Sequence, residues 1–190
     1  MPRRAKSAAI LDSAERMART VGFNAFSFRD VAEDIGIRSA SVHYHFPTKT
    51  ELGIALTRRF AERLMAELGD ADDADVPPSA LLDRYVAAFR QLVDEGAQTC
   101  LCTVLAAEIG SLPPELAAEV RSFFGQLHAW LTRVFVRMPA AAAEDSRGGA
   151  EVDAVLFQSA VQGGLLLAHA RGSAAIYDIV AGAAKDRAGA

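Results

Sequence analysis

Residues 27 to 52, SFRDVAEDIGIRSASVHYHFPTKTEL, decide the fold because they carry the signals of two short helices joined by a tight turn. Ser27 is a favoured N-cap residue, and Asp30 stands three positions later, where its side chain can complete a capping box. One apolar face of the first helix is then supplied by Val31, Ala32 and Ile35. Gly36 follows at the point where a left-handed residue commonly ends a helix.

A second short helix is expected after this turn, with Ser39 as its cap and Pro47 as its stop. Val42 lies on its buried side, whereas the other face carries side chains that hydrogen-bond or stack: Ser41, His43, Tyr44 and His45. Thr48 and Glu51 have the spacing of another capping box, at the start of the next helix. Two helices that cross closely at such a turn form a helix-turn-helix, whose second helix enters the major groove of DNA.

The sequence around this motif resembles the TetR family of bacterial transcriptional regulators. The resemblance runs from Ile10 to about Leu56, and it rests on Gly22-Phe23, Phe26-Ser27, Arg29, Val31-Ala32, Ile35-Gly36-Ile37, Tyr44, His45-Phe46, Lys49 and Leu52. This combination is far more specific than a helix-turn-helix signal alone. It implies a homodimeric repressor that binds a palindromic operator in double-stranded DNA and is released by a small, largely apolar inducer.

The resemblance also assigns roles within the motif. It puts four residues at base-facing positions of the recognition helix: Ser39, Ala40, Ser41 and His43. It puts Tyr44, His45 and Lys49 at phosphate-contacting positions. Arg29 is expected to reach the DNA backbone or the groove edge, and Ser27 lies at a helix N-terminus, where N–H groups attract phosphate. Arg38, in the turn, is a looser assignment.

The charge of the chain is unevenly distributed. Residues 1 to 60 hold ten Lys and Arg against six Asp and Glu, whereas the remainder holds ten against eighteen. The positive end suits phosphate, and the acidic remainder argues against a nucleic-acid coat over the whole molecule. The basic residues Arg3, Arg4 and Lys6 fit either a flexible arm near DNA or a solvated terminus.

Neither the start of the chain nor its apolar runs suggest a membrane. The basic start MPRRAK is followed by charged residues rather than by the apolar core of a secretory signal. The longest uncharged run, residues 154 to 170, is too short for a comfortable membrane span. We therefore expect a cytoplasmic protein with no membrane partner.

The rest of the chain shows helical spacing of apolar residues and no strand-like alternation, so the expected fold class is all-α. Helices are expected at residues 5–21, 49–69, 79–95, 101–110, 115–138, 151–171 and 173–185, with loops at 69–78 and 139–150. Residues 1–48 are predicted to form a three-helix DNA-binding domain, which we call the head. Residues 49–190 are predicted to form a helical ligand-binding and dimerisation domain, which the long helix from Lys49 joins to the head.

Two adjacent glycines lie inside the expected helix 151–171. Gly163 and Gly164 cost helix stability unless another backbone comes close, which indicates tight helix packing. The resemblance implies a four-helix dimer interface built from two late helices of each subunit, for which 115–138 and 151–171 are the candidates. The predicted interface residues are Val155, Leu156, Gly163, Gly164 and Leu167. Close packing inside one subunit is the alternative.

The resemblance further implies a ligand cavity in the second domain, with apolar and aromatic walls and few polar groups. Its candidate lining is Tyr85, Phe89, Leu105, Phe123, Leu127, Trp130, Gln158 and Gln162. Any one of these residues is more often part of a plain core or of a dimer interface than of a ligand pocket. A helix-turn-helix protein without a small-molecule ligand, controlled by a protein partner or by redox state, is the alternative.

No enzyme motif appears in the sequence. It has no nucleophile elbow, no HExxH, no phosphate loop and no paired carboxylates, so we expect neither an enzyme nor a cofactor. His128 and His169 have no acidic partner at metal-binding spacing, so no metal is expected. Cys100 and Cys102 fit two small core residues better than a redox switch or a zinc site.

Overall fold

The computed structural model describes residues 3 to 94, 100 to 138 and 146 to 189. Its helices are α1 (Arg3–Val21), α2 (Phe28–Asp34), α3 (Ser39–His45), α4 (Lys49–Leu68), α5 (Pro78–Asp94), α6 (Leu101–Ala107), a 3₁₀ helix (Ile109–Ser111), α7 (Pro114–Val136), α8 (Ser146–Arg171) and α9 (Ala174–Ala188). These residues contain no strand, so the predicted all-α fold is confirmed.

The predicted loop 139–150 is wrong over residues 146 to 150, which form the first turn of α8. The sequence there is rich in Gly and Ala, which indicated a loop. Ala150 is nevertheless buried, and it continues the buried stripe of α8 formed by Ala154, Phe157, Val161 and Leu165. Packing of this face outweighs the weak helix propensity of Gly148 and Gly149. Residues 139 to 145 lie outside the described part of the chain.

The helix-turn-helix forms largely as its sequence signals predict. Ser27 and Asp30 make both halves of the capping box, and Gly36 has the left-handed φ of 68°. The prediction that Ser39 caps α3 is wrong, because Arg38 occupies the N-cap position and offers no side-chain hydrogen bond there. The Ser41 N–H donates to the Arg38 carbonyl at 2.8 Å, so the helix has already begun at Ser39.

Contacts divide the chain into two compact units, each of which we describe by itself. The first unit comprises residues 1–62 and 100–123, and the second comprises residues 63–99 and 124–190. The predicted boundary between residues 48 and 49 separates a DNA-binding domain from a ligand-binding and dimerisation domain. That division is one of function, and it stays a prediction.

The first unit has a core of aliphatic and aromatic side chains, among them Ile10, Val31, Val42, Leu52, Leu56, Leu116 and Val120. At its edge Arg59 joins α4 to α1, because its guanidinium bonds Asp12 at 2.7 Å and Glu15 at 2.8 Å. Gly53 of α4 brings two elements close: a Cβ built on it would lie 2.6 Å from Leu116 and 2.8 Å from Phe23. Phe23 of the head and Leu116 of α7 therefore both pack closely against α4 at Gly53.

The second unit is centred on aromatic residues. The Tyr85 ring stacks on Trp130 with centroids 6.1 Å apart, and it also contacts Phe89 at 4.8 Å. The Trp130 indole N–H donates to the Gly69 carbonyl at 2.8 Å. Arg137 donates to the carbonyls of Ala71, Asp73 and Val76, so α7 holds the acidic loop that follows α4.

Both cysteines are free thiols and fully buried. Burial raises the pKa of the Cys102 thiol, which keeps it protonated and poorly nucleophilic. The full burial of both side chains favours the interpretation of the two cysteines as core residues. In the described part of the chain, no group of three or more His, Cys, Asp or Glu side chains could hold a metal ion. No helix of that part is long and apolar enough to cross a membrane.

Candidate nucleic-acid interface

The start of α2 is fixed by the capping box. The Ser27 N–H donates to Asp30 Oδ2 at 2.7 Å, and the Ser27 hydroxyl donates to the same oxygen at 2.8 Å. These hydrogen bonds to Ser27 hold the pKa of the Asp30 carboxyl below its ordinary value. Since the Ser27 hydroxyl is engaged by Asp30, its predicted phosphate contact stays a prediction.

The recognition helix α3 is anchored on one side and exposed on the other. Val42 is fully buried, and it holds the helix against the rest of the head. Arg38, Ala40, His43 and Tyr44 are exposed, and Ser39, Ser41 and His45 are partly exposed. Tyr44 is 67% exposed, which is high for a large aromatic side chain. The predicted base-facing residues therefore share one accessible side of α3.

His43 is held in place by contacts with its own helix-turn-helix. Its ring lies edge-on to Phe28 with centroids 4.7 Å apart. Its Nδ1 lies 3.4 Å from the Pro47 carbonyl oxygen, and in the tautomer with the proton on Nδ1 it donates there. This tautomer leaves Nε2 as a hydrogen-bond acceptor. A base-edge donor such as an exocyclic amine group of cytosine or adenine suits that acceptor.

Lys49 has a structural environment that its sequence position did not predict. Its ammonium donates to the Phe26 carbonyl and lies 4.6 Å from the Phe26 ring centroid and 4.9 Å from that of Phe23. Burial lowers the pKa of this ammonium. Lys49 therefore supports the chain just before α2, and one of its three N–H groups is already used.

The two arginines of the motif are more accessible. Arg29 bonds Glu33 at 2.8 Å, but the two side chains are 82% and 64% exposed, so this i,i+4 pair is weak. The hydrogen bond to Glu33 raises the pKa of the Arg29 guanidinium further above its ordinary value. Both Arg29 and the exposed Arg38 can therefore turn toward phosphate at little cost.

The structure brings half of the predicted DNA-binding residues to one open groove of about 510 Å³. It is lined by Phe26, Ser27, Phe28, Arg29, Ser39, His43, Pro47, Thr48 and Lys49. Ser27, Arg29, Ser39, His43 and Lys49 belong to the predicted set. The groove combines hydrogen-bonding side chains with the basic groups that phosphate contact requires.

The residues predicted to line the ligand pocket are mostly core residues. Tyr85, Phe89, Leu127 and Trp130 are fully buried in the second unit, and Gln158 and Gln162 are partly buried there. Leu105 and Phe123 are buried in the first unit. The second unit has a half-open cleft of about 270 Å³ lined by Phe135, Asp153, Leu156, Phe157, Ala160, Ala184, Arg187 and Ala188. This cleft shares no residue with the predicted pocket, which stays a prediction.

The residues predicted for the dimer interface fall into two groups. Val155, Leu156 and Leu167 are exposed on α8, together with Val152 and Leu166. Gly163 faces open space, whereas a Cβ on Gly164 would lie 3.1 Å from the Val180 side chain of α9. Gly164 thus lies close to α9 inside the chain, and its predicted place in the dimer interface stays a prediction. On α7, the other predicted interface helix, the exposed large apolar residue is Val136, and on α9 it is Ile179.

One polar contact of the head was missed by the sequence analysis. Glu108, at the end of α6, accepts hydrogen bonds from the backbone N–H groups of Phe23 and Asn24. The partners are 85 and 84 residues apart in sequence, so no local pattern could reveal the contact. The one local signal at this turn is Gly22, whose φ of 96° lies in the left-handed region that favours glycine.

The fold and the helix-turn-helix geometry agree with the comparison to known proteins, and the chain belongs to the TetR family. The family model described as "Bacterial regulatory proteins, tetR family" matches residues 10–56. A TetR-family transcriptional regulator from Agrobacterium tumefaciens has a similar crystal structure, with a TM-score of 0.85 and 30% identity over 97% of this chain and 98% of that one. The predicted family is therefore confirmed.

Two further relatives are also transcriptional regulators. A TetR transcriptional regulator from Legionella pneumophila has a TM-score of 0.84 at 29% identity, covering 94% of this chain and 95% of that one. The HTH-type transcriptional repressor KstR2 of Mycobacterium tuberculosis is 30% identical over 105 residues. That match covers 55% of this chain and 52% of the repressor, so the chain spans about half the length of the curated relative. These relatives are transcriptional regulators, in agreement with the prediction that the chain is not an enzyme.

Proposed function

We propose that the protein is a homodimeric repressor that binds an inverted-repeat operator through α3 and leaves it when a small, largely apolar ligand binds. The observation that carries DNA binding is the accessible side of α3, where Ala40, His43 and Tyr44 are exposed while Val42 anchors the helix. A regulator of this kind works in the cytoplasm, where its operator is.

Gel-shift titrations on DNA selected from a random pool test the DNA-binding proposal. His43→Ala should change base preference, because it removes a base-facing hydrogen-bonding group. Tyr44→Phe should weaken binding to all sequences about equally, because its role is phosphate contact. Glu67→Gln, on the part of α4 that lies in the second unit, is a control that leaves the head intact. Equal affinity of the wild-type protein for random and selected DNA at moderate salt would exclude specific binding.

The homodimer is supported by the exposed apolar face of α8. Large apolar side chains grouped on one helix face are costly in water, and burial against a second copy removes that cost. A two-fold dimer also explains an inverted-repeat operator, because half-sites related by symmetry match heads related by symmetry. Gly163→Glu places a charge at open space on this helix and should favour monomers. If the variant sediments as a dimer at micromolar concentration, another face makes the contact.

Release by a ligand is supported by the aromatic interior of the second unit, where Gln158 and Gln162 are the partly buried polar groups of the predicted lining. A ligand lowers operator affinity only by as much as its affinities for the two protein states differ, typically about 5- to 150-fold. Apolar compounds can be screened for thermal stabilisation, after which operator affinity is measured with each hit. Hits that bind the second unit and leave DNA affinity unchanged would favour control by a protein partner.

A further inference from the structure

The turn between α1 and α2 is bound by both oxygens of one carboxylate. The Phe23 N–H donates to Glu108 Oε1 at 3.0 Å, and the next N–H, that of Asn24, donates to Glu108 Oε2 at 3.0 Å. Hydrogen bonds from N–H groups to an ionised acceptor are about twice as strong as those between neutral groups. The end of α6 is therefore fastened to the head at both oxygens of one side chain.

Gly22 allows this carboxylate to come so close. Its φ of 96° belongs to the left-handed region, and a Cβ built on it would lie 2.5 Å from Glu108 Oε1. Any side chain at position 22 would therefore strain the backbone and displace the carboxylate as well. The turn is shaped around Glu108.

A second contact fastens the same turn. The Asn24 side-chain amide donates to Ser111 Oγ at 2.9 Å, and the Ser111 hydroxyl donates to the Glu108 carbonyl at 2.8 Å. Ser111 ends the 3₁₀ helix, and α7 begins at Pro114. The α1–α2 turn is thus bound to the segment that leads directly into α7. All of these residues belong to the first unit.

We propose that Glu108 is a positioning residue for operator binding, an inference that rests on the proposed function. Glu108 contributes no DNA contact. By fixing the α1–α2 turn to α6 and the start of α7, it sets the direction in which each subunit presents α3. A dimer gains affinity from two half-sites only when both recognition helices are presented in matching directions. Loss of the carboxylate should therefore weaken binding to the full operator and spare binding to one half-site.

The test compares Glu108→Gln with Glu115→Gln. Both changes remove one negative charge, and Glu115 is an exposed residue in the first turn of α7 in the same unit. In Glu108→Gln an amide nitrogen replaces one acceptor oxygen, so one of the two N–H groups loses its partner. Affinities are measured on an operator selected with the wild-type protein and on a duplex that carries one half-site.

Glu108→Gln should bind the full operator about tenfold more weakly, within the usual range of coupling. Its affinity for the half-site duplex should match that of Glu115→Gln, which loses the same charge, and the slope of its affinity against salt should match the wild type, because no phosphate contact is lost. The loss of a negative charge by itself strengthens binding to DNA, so an electrostatic effect alone would raise the operator affinity of Glu108→Gln. Glu115→Gln reports that electrostatic effect alone.

The outcomes separate the inference from the proposed function. If the wild-type protein selects no operator, the proposed function fails. If it does select one and the two variants bind the full operator equally well, Glu108 does not position the head. Equal weakening on operator and half-site would assign Glu108 to general stability of the head and would also overturn the proposal. Hydrogen exchange at the Phe23 and Asn24 amides checks the contact itself. These amides should lose protection in Glu108→Gln and keep it in Glu115→Gln.

Discussion

Truncation of Leu156 gives a quantitative prediction for dimer formation. The residue is 62% exposed on α8 in the single chain, so most of its surface is available to a partner. Leu156→Ala removes three carbon atoms, and burial of each is worth about 0.8 kcal/mol. Scaled to the exposed fraction, each subunit loses about 1.5 kcal/mol of burial energy. A two-fold interface contains the residue twice, so the dimer loses about 3 kcal/mol.

A loss of this size raises the dimer dissociation constant roughly 150-fold. Sedimentation velocity over a concentration series measures that constant for the wild type and the variant. Val21→Ala is the matched control, because Val21 is an exposed apolar residue of the head outside the predicted interface. A dissociation constant within threefold of the wild type would refute the assignment of Leu156 to the interface. A similar shift in Val21→Ala would show that the effect is not specific to α8.

Three further predictions follow from the same structure. Val136→Glu should promote monomers, because α7 is the second predicted interface helix. If Ile179→Glu promotes monomers and Val136→Glu does not, α9 takes that role instead. Size-exclusion chromatography with light scattering measures the oligomeric state of both variants. Trp130→Phe removes the hydrogen bond to the Gly69 carbonyl and leaves a cavity in a fully buried site, so the free energy of unfolding should fall by at least about 1 kcal/mol in urea titrations, and an unchanged value would contradict this. Asp34→Asn should destabilise the head at neutral pH but not in acid, and a difference independent of pH would contradict this.

The pH dependence of Asp34 follows from its partners. Its carboxylate accepts a hydrogen bond from Ser13 at 2.6 Å and pairs with Arg16, and these contacts hold its pKa below the ordinary value. A lowered pKa in the folded state adds stability that is fully present above the unfolded value of about 4. That stability disappears as pH falls through the lower folded pKa, so the difference between wild type and variant should shrink there.

Local signals predicted much of the head, because its short helices are decided by neighbouring residues. The capping box of Ser27 and Asp30 and the left-handed Gly36 were both evident in the sequence. The start of α3 was misplaced by one residue, since Arg38 takes the cap position that Ser39 was expected to fill. Ser and Arg differ in capping preference, but a backbone carbonyl can begin a helix without help from a side chain.

Features that depend on distant residues were harder to predict. Gly163 and Gly164 of α8 are adjacent in sequence, yet of these two only Gly164 meets a neighbour, Val180 of α9. The carboxylate of Glu108 meets Phe23 and Asn24 across more than 80 residues of sequence. The hydrogen bond from the Lys49 ammonium to the Phe26 carbonyl was not expected, and the phosphate contact of Lys49 stays a prediction. Such contacts arise from tertiary packing, which periodicity and capping patterns do not contain.

Selection of binding sites from a random DNA pool with the wild-type protein tests the central claim most directly. We expect one enriched inverted repeat, with half-site centres about one helical turn apart or slightly more, because two α3 helices related by a two-fold axis enter successive major grooves. Enrichment of single, unpaired sites or of no sequence at all would contradict it.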